Sequence, residues 1–160
     1  MLTQKYYSEG NFFYLDYPRT WEMEIHDHIP AFFDPISGNG ALQILAVDIF
    51  PAMNDEEKKT GMIKAYPYLA GEKLIDKMVI FLHMQDIRIN PNDLKIYARK
   101  GTYFIPHEYS VQGRFYMSVM MEKCGILLLA IYNAASKPDK MEADIIGEIL
   151  KSIEITERKN

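Results

Sequence analysis

The segment WEMEIHDHIP, from Trp21 to Pro30, carries two of the chain's four histidines, with Glu22 and Glu24 ahead of them and Asp27 between them. On an extended strand successive side chains alternate faces. Glu22, Glu24, His26 and His28 therefore share one side, and Trp21, Met23, Ile25 and Ile29 share the other, with Asp27 the exception. A His-x-His pair on a strand can turn two imidazoles toward one zinc ion, and neighbouring carboxylates can complete or orient the site. His26 and His28 are thus the candidate metal ligands, with a third to come from His83, His107 or a carboxylate. The plainer reading is that Glu, Glu, His and His form the wet face of a half-buried strand.

Other residues offer less. Asp48, within LQILAVDIF, is a carboxylate in apolar surroundings, where burial would raise its pKa or demand a partner. The plainer expectation is a strand-end aspartate that caps or pairs with an arginine. Cys124 falls in a hairpin turn and not at a helix start beside a cation, so nothing there favours a thiolate. No Gly-x-Ser-x-Gly elbow is present, and SGNG lacks the lysine and following helix of a phosphate loop. No residue is assigned a catalytic role, and no cofactor is expected.

The elements that must position these residues follow from hydrophobic rhythm. NFFYLDYP, residues 11–18, mixes aromatic and branched residues and stops at a proline, as an edge or first strand does. A strand at 21–26 follows, then turn signals in AFFDPISGNG. Residues 42–50 are apolar on both parities apart from Gln43 and Asp48, the pattern of a central strand covered on two faces. Pro51 should end it, and the polar stretch 54–61 should be a loop or short helix. Between 71 and 85 the period shifts to about 3.6, placing Leu74, Ile75, Met78, Val79 and Leu82 on one face and Lys73, Asp76 and Lys77 on the other. Pro67 suits an early position of that helix.

Strands are then expected at 94–99, 102–111, 114–122 and 126–133, joined by short glycine-bearing turns into an antiparallel meander. A last helix begins at SKPD, with Ser136 as a cap and Asp139 favouring the positive helix start. Met141, Ile145, Ile149 and Ile153 form its buried ridge while Lys140, Asp144 and Lys151 face water. The terminal ERKN should fray.

The 160 residues, 48% of them apolar and 25% charged, suit one ordered globular domain spanning 1–160, of which roughly 70% of the unfolded surface can be buried. A formal charge of −4 without a Lys/Arg-rich block argues against nucleic acid as a partner. One cysteine leaves no internal disulfide. The longest apolar run, ILLLAIY, falls far short of the ~20 residues a spanning helix needs, and MLTQKYYSEGNFF lacks the features of an export signal. The expectation is a cytoplasmic protein without membrane insertion. Most of the eleven tyrosines and ten methionines should be core; an exposed contiguous patch of them would mark partner recognition.

With FFYLDYPRTW, the turn into FFDP, and the closing series of glycine turn, apolar strand, helix and KSIEI in place, the chain resembles the Mog1/PsbP-like superfamily, and within it an uncharacterised bacterial branch. The resemblance is carried by Tyr17-Pro18, by Trp21 three residues after the proline, and by a terminal helix running into a short strand. It implies an α+β fold, an antiparallel sheet with helices packed on both faces. Members of the superfamily act mostly as binding or assembly factors. The expected function is accordingly a non-catalytic protein-binding or assembly domain. The alternatives are a metal-dependent enzyme using the His-x-His strand site, and a small-ligand carrier with a pocket between helix and sheet.

Overall fold

In the computed structural model, which describes residues 1–48, 62–63 and 73–156, four two-residue turns set the order of the strands. Each has positive φ at both positions: 51° and 68° at Asp27 and His28, 49° and 81° at Lys100 and Gly101, 50° and 78° at Gln112 and Gly113, 51° and 78° at Cys124 and Gly125. This is the sign pattern of type I′ turns, whose twist matches that of right-handed strands, so each turn folds its flanks into an antiparallel hairpin.

The turns join β3 (Glu22–His26) to β4 (Ile29–Phe33), β7 (Tyr97–Arg99) to β8 (Thr102–Val111), β8 to β9 (Arg114–Lys123), and β9 to β10 (Ile126–Ala134). β5 (Gly40–Asp48) pairs antiparallel with β10 from Ala134 opposite Gly40 to Ile126 opposite Asp48. The short β6 (Met62–Ile63) lies parallel to it. The strand order is β3-β4-β5-β10-β9-β8-β7, with β6 beside β5. The sheet is therefore mostly antiparallel, and the meander expected from the glycine turns is present.

A second, three-stranded sheet is built from β1 (Thr3–Tyr7), β2 (Phe13–Pro18) and β11 (Glu154–Ile155), with β2 in the middle. This corrects the expectation of an edge or first strand at 11–18: the N-terminal residues and the chain's last short strand flank it. Pro18 is tolerated there because it is the strand's final residue, where no onward ladder is lost. Tyr6 and Tyr17 clamp this sheet to the larger one through Phe32, at ring distances of 5.4 and 5.0 Å.

Two helices cover opposite faces of the large sheet, α1 (Leu74–Met84) and α2 (Lys140–Ser152). The alternation along β10 shows why both are needed. Leu128, Ala130 and Tyr132 pack with Ile146 and Ile149 of α2, whereas Leu127 and Leu129 pack with Met78 and Leu82 of α1. Each fully buried large side chain contributes about 1.5–3 kcal/mol. A strand apolar on both parities is stable only between two such layers.

Three helix expectations are corrected. Lys77, placed by periodicity on the wet side of α1, is 3% exposed and reaches Glu122 Oε1 at 3.3 Å; Phe81 is buried beside it. In α2, Met141 is 72% exposed, and Glu142 takes a place in the buried stripe instead. The capping residue is Asp139, whose Oδ1 accepts the Glu142 amide at 2.8 Å. Ser136 Oγ instead accepts the Asn39 side-chain amide at 2.9 Å. The expected strand end at Pro51, the loop at 54–61, the helix start at Pro67 and the frayed end at 157–160 lie outside the described residues.

Candidate functional site

The histidine pair sits at the tip of the β3–β4 hairpin. His26 closes β3 and its Nε2 lies 3.0 Å from Glu24 Oε2; His28 occupies the turn, and its Nδ1 lies 2.8 Å from Glu9 Oε2. Positive φ at Asp27 and His28 ends the two-residue rhythm, so Ile29 packs with the α1-side core while Trp21 and Met23 pack with the α2-side core. Each imidazole thus takes its own exposed carboxylate. His83 lies near the end of α1. His107, on β8, stacks on Tyr109 at 6.0 Å, and burial pushes its pKa down against the opposing pull of Glu108 and Asp93. Among the described residues no group of three or more His, Cys, Asp or Glu is arranged to hold a metal ion. Cys124 is exposed in its turn, and the side chain of Asp48 lies outside the described residues.

A different place gathers the side chains. On the α2 face the apolar surface runs past the helix onto β8 and β9, where Phe104, Met117, Val119 and Met121 form a floor. The opposite wall comes from α2 and the residues just after it. Gly147, Leu150 and Lys151 share a face because they stand three and four residues apart, and Ile153 extends that wall. Between floor and wall is a cleft of about 270 Å³, just below the roughly 300–1,000 Å³ of typical small-molecule sites.

The mouth of the cleft is charged. Arg99 comes from the end of β7, Lys100 from the β7–β8 turn, Lys151 from α2 and Glu154 from β11. Lys151 Nζ lies 3.8 Å from Glu148 Oε1, with both side chains well exposed, so that pair is weak. Among the described residues the lining contains no histidine, cysteine or serine.

Gly147 distinguishes this wall from ordinary helix packing. A Cβ added there would meet nothing within 4 Å, so no close contact requires glycine. A mid-helix glycine costs about 1 kcal/mol relative to alanine. Its effect here is to leave space in the cleft beside the helix. The sequence carried this signal as a lone glycine inside the helix, between Asp144 and Lys151 at the edge of the apolar stripe; it could not show that this edge borders a cleft.

These elements make an α+β fold of the Mog1/PsbP-like type. Among solved structures, the solution structure of cyanobacterial PsbP (CyanoP) from Synechocystis sp. PCC 6803 superposes with a TM-score of 0.60 and 12% identity, covering 96% of this chain and 92% of that one. A crystal structure from Bacteroides thetaiotaomicron VPI-5482 matches with a TM-score of 0.57 and 15% identity over 99% of this chain. This chain spans 50% of the length of that Bacteroides chain. No family model and no curated protein matches the sequence. At such identities the likeness is one of fold, and no functional residue is carried over. Among the described residues no helix is long and apolar enough to cross a membrane.

Proposed function

We propose that the protein is a non-catalytic binding domain whose recognition site is the cleft between α2 and strands β8 and β9. The observation that supports this most is the combination of an apolar interior with an open, glycine-lined wall. An apolar cavity with a few polar groups at its rim is the usual form of a small-ligand site. Of the roles expected from the sequence, the pocket between helix and sheet is the one this geometry favours, ahead of a flat protein-binding face.

The test is to fill the cleft from its own wall. Gly147→Phe places an aromatic side chain in the open space while improving helix propensity, and Gly147→Ala is the stability control. Binding of a small neutral probe such as 1-octanol, followed by ligand-observed NMR, should survive in Gly147→Ala and vanish in Gly147→Phe. Equal binding to both variants, or no binding to the unsubstituted protein, would overturn the proposal.

A further inference from the structure

We infer that the ligand of this cleft is a small amphipathic anion, a compact aliphatic or aromatic body bearing one carboxylate; the inference rests on the cleft being a binding site. Its support is the distribution of charge. The chain as a whole is acidic, with 22 Asp and Glu against 18 Lys and Arg, yet the lining of the cleft carries three cations, Arg99, Lys100 and Lys151, against the single carboxylate of Glu154. A local positive rim on an acidic protein is a steering field for an anion.

Arg99 and Lys100 are also available, whereas Lys151 is loosely held by Glu148 at 3.8 Å. Lys5, Lys137 and Lys140 reach Asp16, Glu108 and Asp144. Neither Arg99 nor Lys100 has an ion-pair partner among the described residues. Arg99 and Lys100 enter the lining from the sheet side, at the tight β7–β8 connection, and Lys151 enters it from α2. A carboxylate at the mouth can meet both sides, and the planar fork of Arg99 suits two parallel hydrogen bonds to it.

The interior sets the rest of the ligand. Phe104, Val119, Leu150 and Ile153 offer no hydrogen-bond partner in their side chains, so the inserted part must be apolar. Met117 and Met121 give the floor an adaptable surface that suits chains and rings alike. The volume of about 270 Å³ limits the body to a small one.

The experiment compares octanoate, 1-octanol and octylammonium, probes of one chain length and three charges, each titrated below its aggregation concentration at low salt. Octanoate should bind about tenfold more tightly than 1-octanol, the gain of one charge-assisted contact at a partly exposed site, and octylammonium should bind most weakly. The preference should shrink with added salt and fall below about twofold in Arg99→Gln/Lys100→Gln. Equal affinities for octanoate and 1-octanol, both lost in Gly147→Phe, would overturn the anion inference and leave the cleft as an apolar site. Absence of all binding, or binding undiminished in Gly147→Phe, would overturn both.

Discussion

The Glu142 carboxylate, in the first turn of α2, accepts the backbone amide of Asn39 through both oxygens, at 3.1 and 3.0 Å. One of them also receives the Gly40 amide at 3.4 Å. The strand start must come close, for a Cβ on Gly40 would lie 2.2 Å from the carbonyl oxygen of Asn133. Glu142 is 6% exposed, so removing its carboxylate takes a charged acceptor from partly buried amides. Glu142→Ala should lower stability by about 2–3 kcal/mol and Glu142→Gln, which keeps one oxygen, by about 1 kcal/mol. Urea unfolding measures both, and an unchanged midpoint in Glu142→Ala would refute the assignment.

Tyr132 beside it predicts an alkaline effect. Its hydroxyl is buried without a hydrogen bond of standard geometry; burial first, and the nearby Glu142 carboxylate second, push its pKa well above the ordinary value of 10.0. The unfolded tyrosine ionises near that value while the folded one stays neutral. Its contribution is therefore complete below about pH 10 and is lost as pH rises toward the folded pKa. Tyr132→Phe should cost less than about 1 kcal/mol at neutral pH and flatten the alkaline fall in stability. Tyr6 and Tyr109, also raised chiefly by burial, retain the remaining slope. Parallel alkaline limbs in the two proteins would be the contrary result.

The Lys77–Glu122 pair ties α1 to β9. Lys77 is 3% exposed, whereas Glu122 keeps 25% of its side chain in solvent. Glu122→Ala should destabilise by up to about 3 kcal/mol by leaving a buried ammonium alone, while Lys77→Met/Glu122→Gln should be neutral or stabilising, since the desolvation cost leaves with the charge. Thermal unfolding of the two variants separates these outcomes; a larger loss in the double variant would contradict them.

Trp21, expected from the sequence to anchor the core, is 3% exposed and packs in the α2-side cluster. Trp21→Ala should cost about 3–5 kcal/mol through lost burial and a residual cavity. Ile25, on β3 just after it but 45% exposed, should cost within about 0.5 kcal/mol when replaced by alanine. Similar losses at both positions would show that the strand packs differently.

The fold was largely legible because its strongest signals are local. Glycine at the second position of three turns fixed the meander, and the apolar run of β10 on both parities required two covering layers. What escaped depended on contacts distant in sequence. β1 is polar enough to read as a loop and becomes a strand by pairing with β2, while Glu142 is buried because the amides of Asn39 and Gly40 meet it. Lys77 likewise reads as surface until Glu122 is placed beneath it. The cleft was legible only as a general possibility of helix over sheet, since Arg99 at the end of β7, the turn residue Lys100 and the helix residue Lys151 come together only in the tertiary fold. The histidines stood out by spacing, but the two turn residues with positive φ end the strand before His28.

The most direct test follows the methionine methyl groups by NMR as octanoate is added to the protein. Met117 and Met121 line the cleft, whereas Met78 and Met120 belong to the core on the opposite face. The account predicts saturable shifts at Met117 and Met121 with Met78 and Met120 nearly still, and loss of those shifts in Gly147→Phe. Shifts centred on Met78 and Met120, or none at all, would contradict it.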